Sequence, residues 1–162
     1  IGRELIDDDL PAALAYLTQA AEGGDGDAQY LLGELHRDGL PVGAPDWAAA
    51  APRFAEAARR AHWAAAMEAG RMYRAGGHGL GTDPTIAREM YGLAADLGDP
   101  QADFALGVML ARGEGGTPDP AGAYLRFRQA AARGEADAVP WLARLRDQLP
   151  ATELAALDAD AG

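Results

Sequence analysis

Paired alanines fall at Ala20-Ala21, Ala57-Ala58, Ala94-Ala95 and Ala130-Ala131, in steps of 37, 37 and 36 residues. A second column, Ala28, Ala65, Ala102 and Ala138, has the same steps. In an alanine-rich chain one such series carries little weight, but less common residues keep the same register. Gly33, Gly70 and Gly107 do so, as do Leu35, Met72, Met109 and Leu145, and the apolar column Leu17, Phe54, Tyr91 and Phe127. Several independent columns in one register define an internal repeat, and a period of this size belongs to stacked supersecondary units.

In that register residues 1–24 read as the second half of a unit, residues 25–61, 62–98 and 99–135 as whole units, and residues 136–162 as a last opening helix with a C-terminal cap. Each opening helix carries an apolar stripe at i, i+4, i+7 and i+8: Ala28, Leu32, Leu35 and His36, then Ala65, Ala69, Met72 and Tyr73, then Ala102, Leu106, Met109 and Leu110. Glycine and proline interrupt the chain at 40–45, 76–81 and 113–118. A second helix restarts at Asp46, at Asp83-Pro84 and at Asp119-Pro120, where a carboxylate accepts orphan N–H groups and proline suits the first helical position. A mid-helix glycine costs roughly 1 kcal/mol against alanine, so its recurrence at 33, 70 and 107 implies that a Cβ would clash there. The half unit leaves an open N-terminal face, to be covered by residues upstream, by a partner or by another copy.

Composition mainly excludes. A formal charge of −11 turns the chain away from a nucleic-acid backbone or an anionic membrane as main partner, although Arg126, Arg128, Arg133, Arg144 and Arg146 gather in the last repeat. No Cys, Ser, Lys or Asn occurs, and all 14 basic residues are arginine. That removes serine and cysteine nucleophiles, Schiff-base lysines, the P-loop lysine and thiolate zinc sites. No apolar run approaches the roughly 18 residues of a membrane span, so no membrane insertion is expected. His36, His62 and His78 lie in different units at no metal spacing. The glycines of 76–81 lack the strand and spacing of a phosphate loop and read as a flexible connector. Asp7, Asp8 and Asp9 precede a helix start, where negative charge is favourable. No catalytic, metal or cofactor site is expected. The chain begins at Ile1, which leaves room for an upstream segment such as a signal peptide, and its compartment is undetermined.

The combined pattern is an opening helix with Ala-x-x-x-Leu/Ala-Gly-x-Met/Leu, an Asp-containing loop, then Ala-x-x-x-aromatic-x-x-Ala-Ala. It resembles the Sel1-like repeat family over nearly the whole chain. Tyr73 matches that family's opening-helix tyrosine, replaced by His36 and Leu110 in the other units, and Ala61 replaces the closing glycine of Gly24, Gly98 and Gly134. The resemblance implies an all-α fold, an α/α solenoid in which helix pairs stack into a right-handed superhelix. It also implies a non-enzymatic scaffold or adaptor that binds a protein or peptide. The alternatives are an accessory to a cell-wall or β-lactam-related hydrolase with weak activity of its own, and a toxin-neutralising immunity protein.

Helical geometry locates the face opposite the packing stripe. Tyr30, Glu34 and Arg37 share it on the first opening helix, Met67, Arg71 and Arg74 on the second, and Phe104 and Val108 on the third, with Arg144 on the last. In superhelices of this kind that face lines the concave groove. A shallow strip of Tyr30, Met67 and Phe104 flanked by arginines is the expected peptide site.

Overall fold

Helix starts follow the carboxylates. In the computed structural model, which describes residues 10–39 and 43–159, Asp25, Asp46, Asp83, Asp99 and Asp119 each accept a backbone N–H from the first turn of the next helix, at 2.8–3.1 Å. Pro84, Pro100 and Pro120 open three of these helices, where a missing N–H has no consequence. Nine α-helices and no β-strand occur among the described residues: α1 (Leu10–Glu22), α2 (Gly26–Asp38), α3 (Trp47–Arg59), α4 (Trp63–Ala75), α5 (Pro84–Asp96), α6 (Pro100–Arg112), α7 (Pro120–Ala132), α8 (Ala138–Gln148) and α9 (Ala151–Ala159). Asp7, Asp8 and Asp9 lie outside the described residues.

The chain divides into two units, residues 1–82 and 83–162. In the first, α2 packs between α1 and α3, and α3 continues onto α4. In the second, α6 packs between α5 and α7, α7 continues onto α8, and α9 lies against α7. Tyr124 Oη donates to Asp158 Oδ1 at 2.9 Å, and Arg128 Nη1 donates to the Leu157 carbonyl at 2.6 Å, which fixes α9 there.

Both cores are built from small residues around a few rings. Phe54 is fully buried among Ala50, Ala51, Ala55, Ala57 and Ala58, and Phe127 and Tyr124 among Ala123, Ala130 and Ala138. The glycine column is sterically required where it meets these rings. A Cβ on Gly33 would lie 2.8 Å from the Phe54 ring, and one on Gly107 would lie 2.9 Å from the Phe127 ring. Helix axes approach until backbone meets ring, and dispersion contact takes the place of bulky aliphatic packing.

An unusual cap and a structured turn flank α4. His62, rather than an aspartate, caps α4, with Nδ1 accepting the Ala65 N–H at 3.2 Å. Residues 76–81 form an anchored turn, not a flexible connector. Gly77 and Leu80 exchange backbone hydrogen bonds at 2.8 and 2.9 Å, and Trp47 N–H donates to the His78 carbonyl at 3.1 Å. The closing turns use left-handed backbone at Gly24, Gly98 and Gly134, and Ala61 adopts the same conformation at φ +64°.

Candidate functional site

In the first unit the expected site residues form a closed polar network. Tyr30 stacks on His62 at 4.2 Å between ring centroids, leans on Phe54 at 5.5 Å, and donates its hydroxyl to Glu34 Oε1 at 2.9 Å. Burial, together with the Glu34 acceptor, pushes the Tyr30 phenol above its ordinary pKa, so it remains a neutral donor. Arg37 bonds Asp38 at 2.8 Å and lies 3.6 Å from both Glu34 and Glu68. Arg71 bonds Glu68 at 2.6 Å, and Arg74 also has a partner. Glu68 thus sits between Arg37 and Arg71, and the charges of this face are largely cancelled from within. Met67, expected on the open face, is buried at 6% exposure.

In the second unit Val108 is likewise buried, while Phe104 is half-buried and leans on Phe127 at 5.7 Å. Helix α6 has neighbours on both sides, so its buried arc is wider than one apolar stripe, and Val108 falls inside it. The most consequential buried group was not among the expected site residues. Asp103 has no solvent exposure, yet its carboxylate accepts from Arg126 Nη1 at 3.2 Å and from Arg133 Nη1. Arg126 also bonds Asp96 at 3.1 Å. Burial pushes the Asp103 carboxyl above its ordinary value, against the downward pull of the two guanidiniums. Gln29 and Arg53 occupy the same register positions in the first unit and are likewise bonded, at 3.2 Å.

The arginines of the last repeat separate sharply once their partners are known. Arg126 and Arg133 serve Asp103, Arg128 bonds Asp158 and the Leu157 carbonyl, and Arg146 Nε donates to Tyr124 Oη at 3.2 Å. Arg144 is exposed and has no hydrogen bond or ion pair among the described residues. It borders a recess of about 200 Å³ with Arg112, Trp141 and Gln148. The Arg112 guanidinium lies 5.8 Å from the Trp141 ring centroid, and Trp141 in turn stacks on Phe127 at 5.2 Å. Arg71 holds the same register as Arg144, but three residues before it stands Glu68, whereas three residues before Arg144 stands Trp141. A neutralising acid in one helix is replaced by an aromatic wall in the other. Among the described residues no group of three His, Asp or Glu is arranged to hold a metal, and no helix is long and apolar enough to cross a membrane.

A protein-family model, Sel1 repeat, matches residues 2–25, 26–46, 63–99 and 100–135. The chain belongs to the Sel1 repeat family. Proteins built of Sel1 repeats are generally protein-interaction scaffolds and typically non-catalytic. Similar solved structures include a Sel1 repeat protein from Oxalobacter formigenes, at 28% identity and TM-score 0.67 over 82% of this chain and 54% of that one. A protective antigen of uropathogenic Escherichia coli with an SLR fold aligns at 20% identity and TM-score 0.51, over 91% of this chain and 39% of that one. Cysteine-rich protein B of Helicobacter pylori aligns at 20% identity and TM-score 0.56, over 83% of this chain and 96% of that one. These likenesses establish the α/α solenoid fold of Sel1 repeats. The chain spans about half the length of the Oxalobacter protein. A search of curated protein sequences found no match.

Proposed function

We propose that this chain is a non-enzymatic scaffold that holds a protein or peptide on the outward face of its opening helices, with a partner carboxylate seated between Arg112, Trp141 and Arg144. One observation carries the reading: four of the five clustered arginines are engaged within their own unit, and Arg144 alone is left facing a recess walled by an aromatic ring. A guanidinium fork matches a carboxylate bidentately, and tryptophan with arginine is the pairing that dominates interface energetics. The Trp141 ring excludes water from one side of the recess, which strengthens the charge-assisted bond. The remaining surface of a chain with charge −11 repels acidic proteins at large, so the recess selects one correctly placed acid. In the first unit Tyr30, Glu34, Arg37, Glu68 and Arg71 form a pre-ordered polar surface whose two carboxylates balance its two guanidiniums, so it offers hydrogen bonds without a net charge to satisfy.

A displayed random-peptide library screened against the 162-residue chain tests this. Selected peptides are expected to share an Asp, a Glu or a free C-terminus. Arg144→Glu should weaken them at least about tenfold, while Arg71→Glu should leave affinity within about twofold. C-terminal amidation of the peptides distinguishes a terminal from a side-chain carboxylate. Peptides without a shared acid, or binding indifferent to Arg144→Glu, would overturn the assignment.

A further inference from the structure

One helix holds a cation where its counterparts hold core residues. In the repeat register Arg88 of α5 corresponds to Ala51 of α3 and to Tyr124 of α7, both fully buried. Arg88 is half-buried, and its guanidinium lies against Gly116, where a Cβ would come within 2.5 Å of Nη1. It nevertheless makes no hydrogen bond or ion pair among the described residues. Arg88 borders a recess of about 600 Å³ in the second unit, open between α5 and α7, which both pack on α6. Leu106, Leu110 and Leu125 give this recess an apolar lining, and the exposed Thr85 and Gln129 also border it. The other charged groups there are already engaged. Arg126 bonds Asp96 and Asp103, Asp119 caps α7, and Glu89 has a partner of its own.

We infer that this recess takes a segment of a protein partner in which a carboxylate stands beside an aliphatic side chain, the acid on Arg88 and the aliphatic group on the leucines. The chain makes the polar half of this pairing once within itself. Tyr124, at the register position of Arg88, donates to the Asp158 carboxylate of α9 at 2.9 Å. Between α5 and α7 no described acid takes that part, and a half-buried guanidinium without an acceptor is costly. A carboxylate from outside removes the cost and can accept two parallel N–H groups from one arginine. Leu125 is half-buried, and covering its remaining apolar surface favours an aliphatic neighbour over a polar one. A recess open along the gap between two helices suits an extended segment. It is separate from the recess at Arg144, which lies between α6 and α8, and the inference does not rest on that one.

The Arg144→Glu chain, with the other recess disabled, serves as bait for a displayed random-peptide library. The Arg144→Glu/Gln129→Trp chain serves for counter-selection, because an indole at that exposed position fills the gap between α5 and α7. Selected peptides should share an Asp or Glu adjacent to Leu, Ile, Val or Met. Adding Arg88→Gln to the bait should weaken them at least about tenfold, and in that variant changing the peptide's acid to its amide should cost little more. Titration of a selected peptide should shift the methyl resonances of Leu106, Leu110 and Leu125. Arg88→Gln breaks no hydrogen bond or ion pair, so its thermal midpoint should equal or exceed that of wild type. Failure to enrich any peptide over the counter-selection, peptides without a shared acid, unmoved leucine methyls, or affinity indifferent to Arg88→Gln would overturn the inference.

Discussion

The Asp103 carboxylate, without solvent exposure, accepts a hydrogen bond from Arg126 at 3.2 Å, across the helix pair where the first unit places Gln29 and Arg53. A polar bond therefore recurs at one register position in two units. In residues 62–98 the same register positions hold Ala66 and Met90, both apolar and each buried within its own unit. Each stretch keeps both members of one chemistry, because a buried polar group without its partner is far more costly than either matched pair.

Copying the apolar solution into the second unit tests this. Asp103→Ala alone should destabilise by about 2 kcal/mol, somewhat below the usual cost of breaking a buried ion pair, because Arg126 and Arg133 reach solvent. Adding Arg126→Met should recover most of that loss, a favourable coupling measurable by urea denaturation of the four variants. The pH dependence has a defined sign. Because burial raises the folded value of Asp103, the stability it contributes is full in acid below the unfolded value of 3.8 and fades as pH rises through the folded one. Wild type should therefore lose stability relative to the Asp103→Ala/Arg126→Met variant across that window. Parallel pH profiles would contradict the burial effect.

Gly33→Ala should destabilise the first unit by about 1 kcal/mol, overpacking against Phe54 outweighing the gain in helix propensity. Phe54→Leu opens a cavity and also destabilises when made alone. Together the two should cost less than their sum by about 1 kcal/mol, since the leucine vacates the space that the methyl group enters. Additive losses in thermal denaturation would show that the ring is free to move aside.

The turn before α4 contains a strained alanine and an unusual cap. Ala61→Gly should stabilise by about 1 kcal/mol, because φ +64° disfavours any side chain. His62→Ala should destabilise by about 1 kcal/mol through loss of the Nδ1 cap. His62→Asp should lie closer to wild type, restoring the cap that Asp25 and Asp99 provide elsewhere while losing the stack on Tyr30. Urea midpoints ranking alanine above aspartate at position 62 would refute the capping role.

The helix pairs were legible because their signals are local and repeated. An Asp before Pro, a Gly against a ring and a Gly or its stand-in at a closing turn each mark a backbone requirement that few residues meet. Ala61 could be placed in its turn before any coordinate because Gly24, Gly98 and Gly134 hold the same register. Arg144 was reached by counting helical turns, and so were Met67 and Val108, which prove to be buried. Counting turns on one helix does not reveal how wide an arc its neighbours cover. The burial of Asp103 leaves no local mark in the sequence, because its partner Arg126 lies 23 residues away on another helix. The contrast between Glu68 and Trp141 was readable in the repeat register, but its meaning depended on knowing which arginines were already engaged.

Calorimetric titration of one selected acidic peptide, and of the same peptide with its acid changed to the amide, into wild type and Arg144→Ala measures the coupling between guanidinium and carboxylate. A coupling of at least about 1 kcal/mol is the predicted result for a contact pair. Equal losses that simply add would contradict the assignment of Arg144 as the residue that holds the partner.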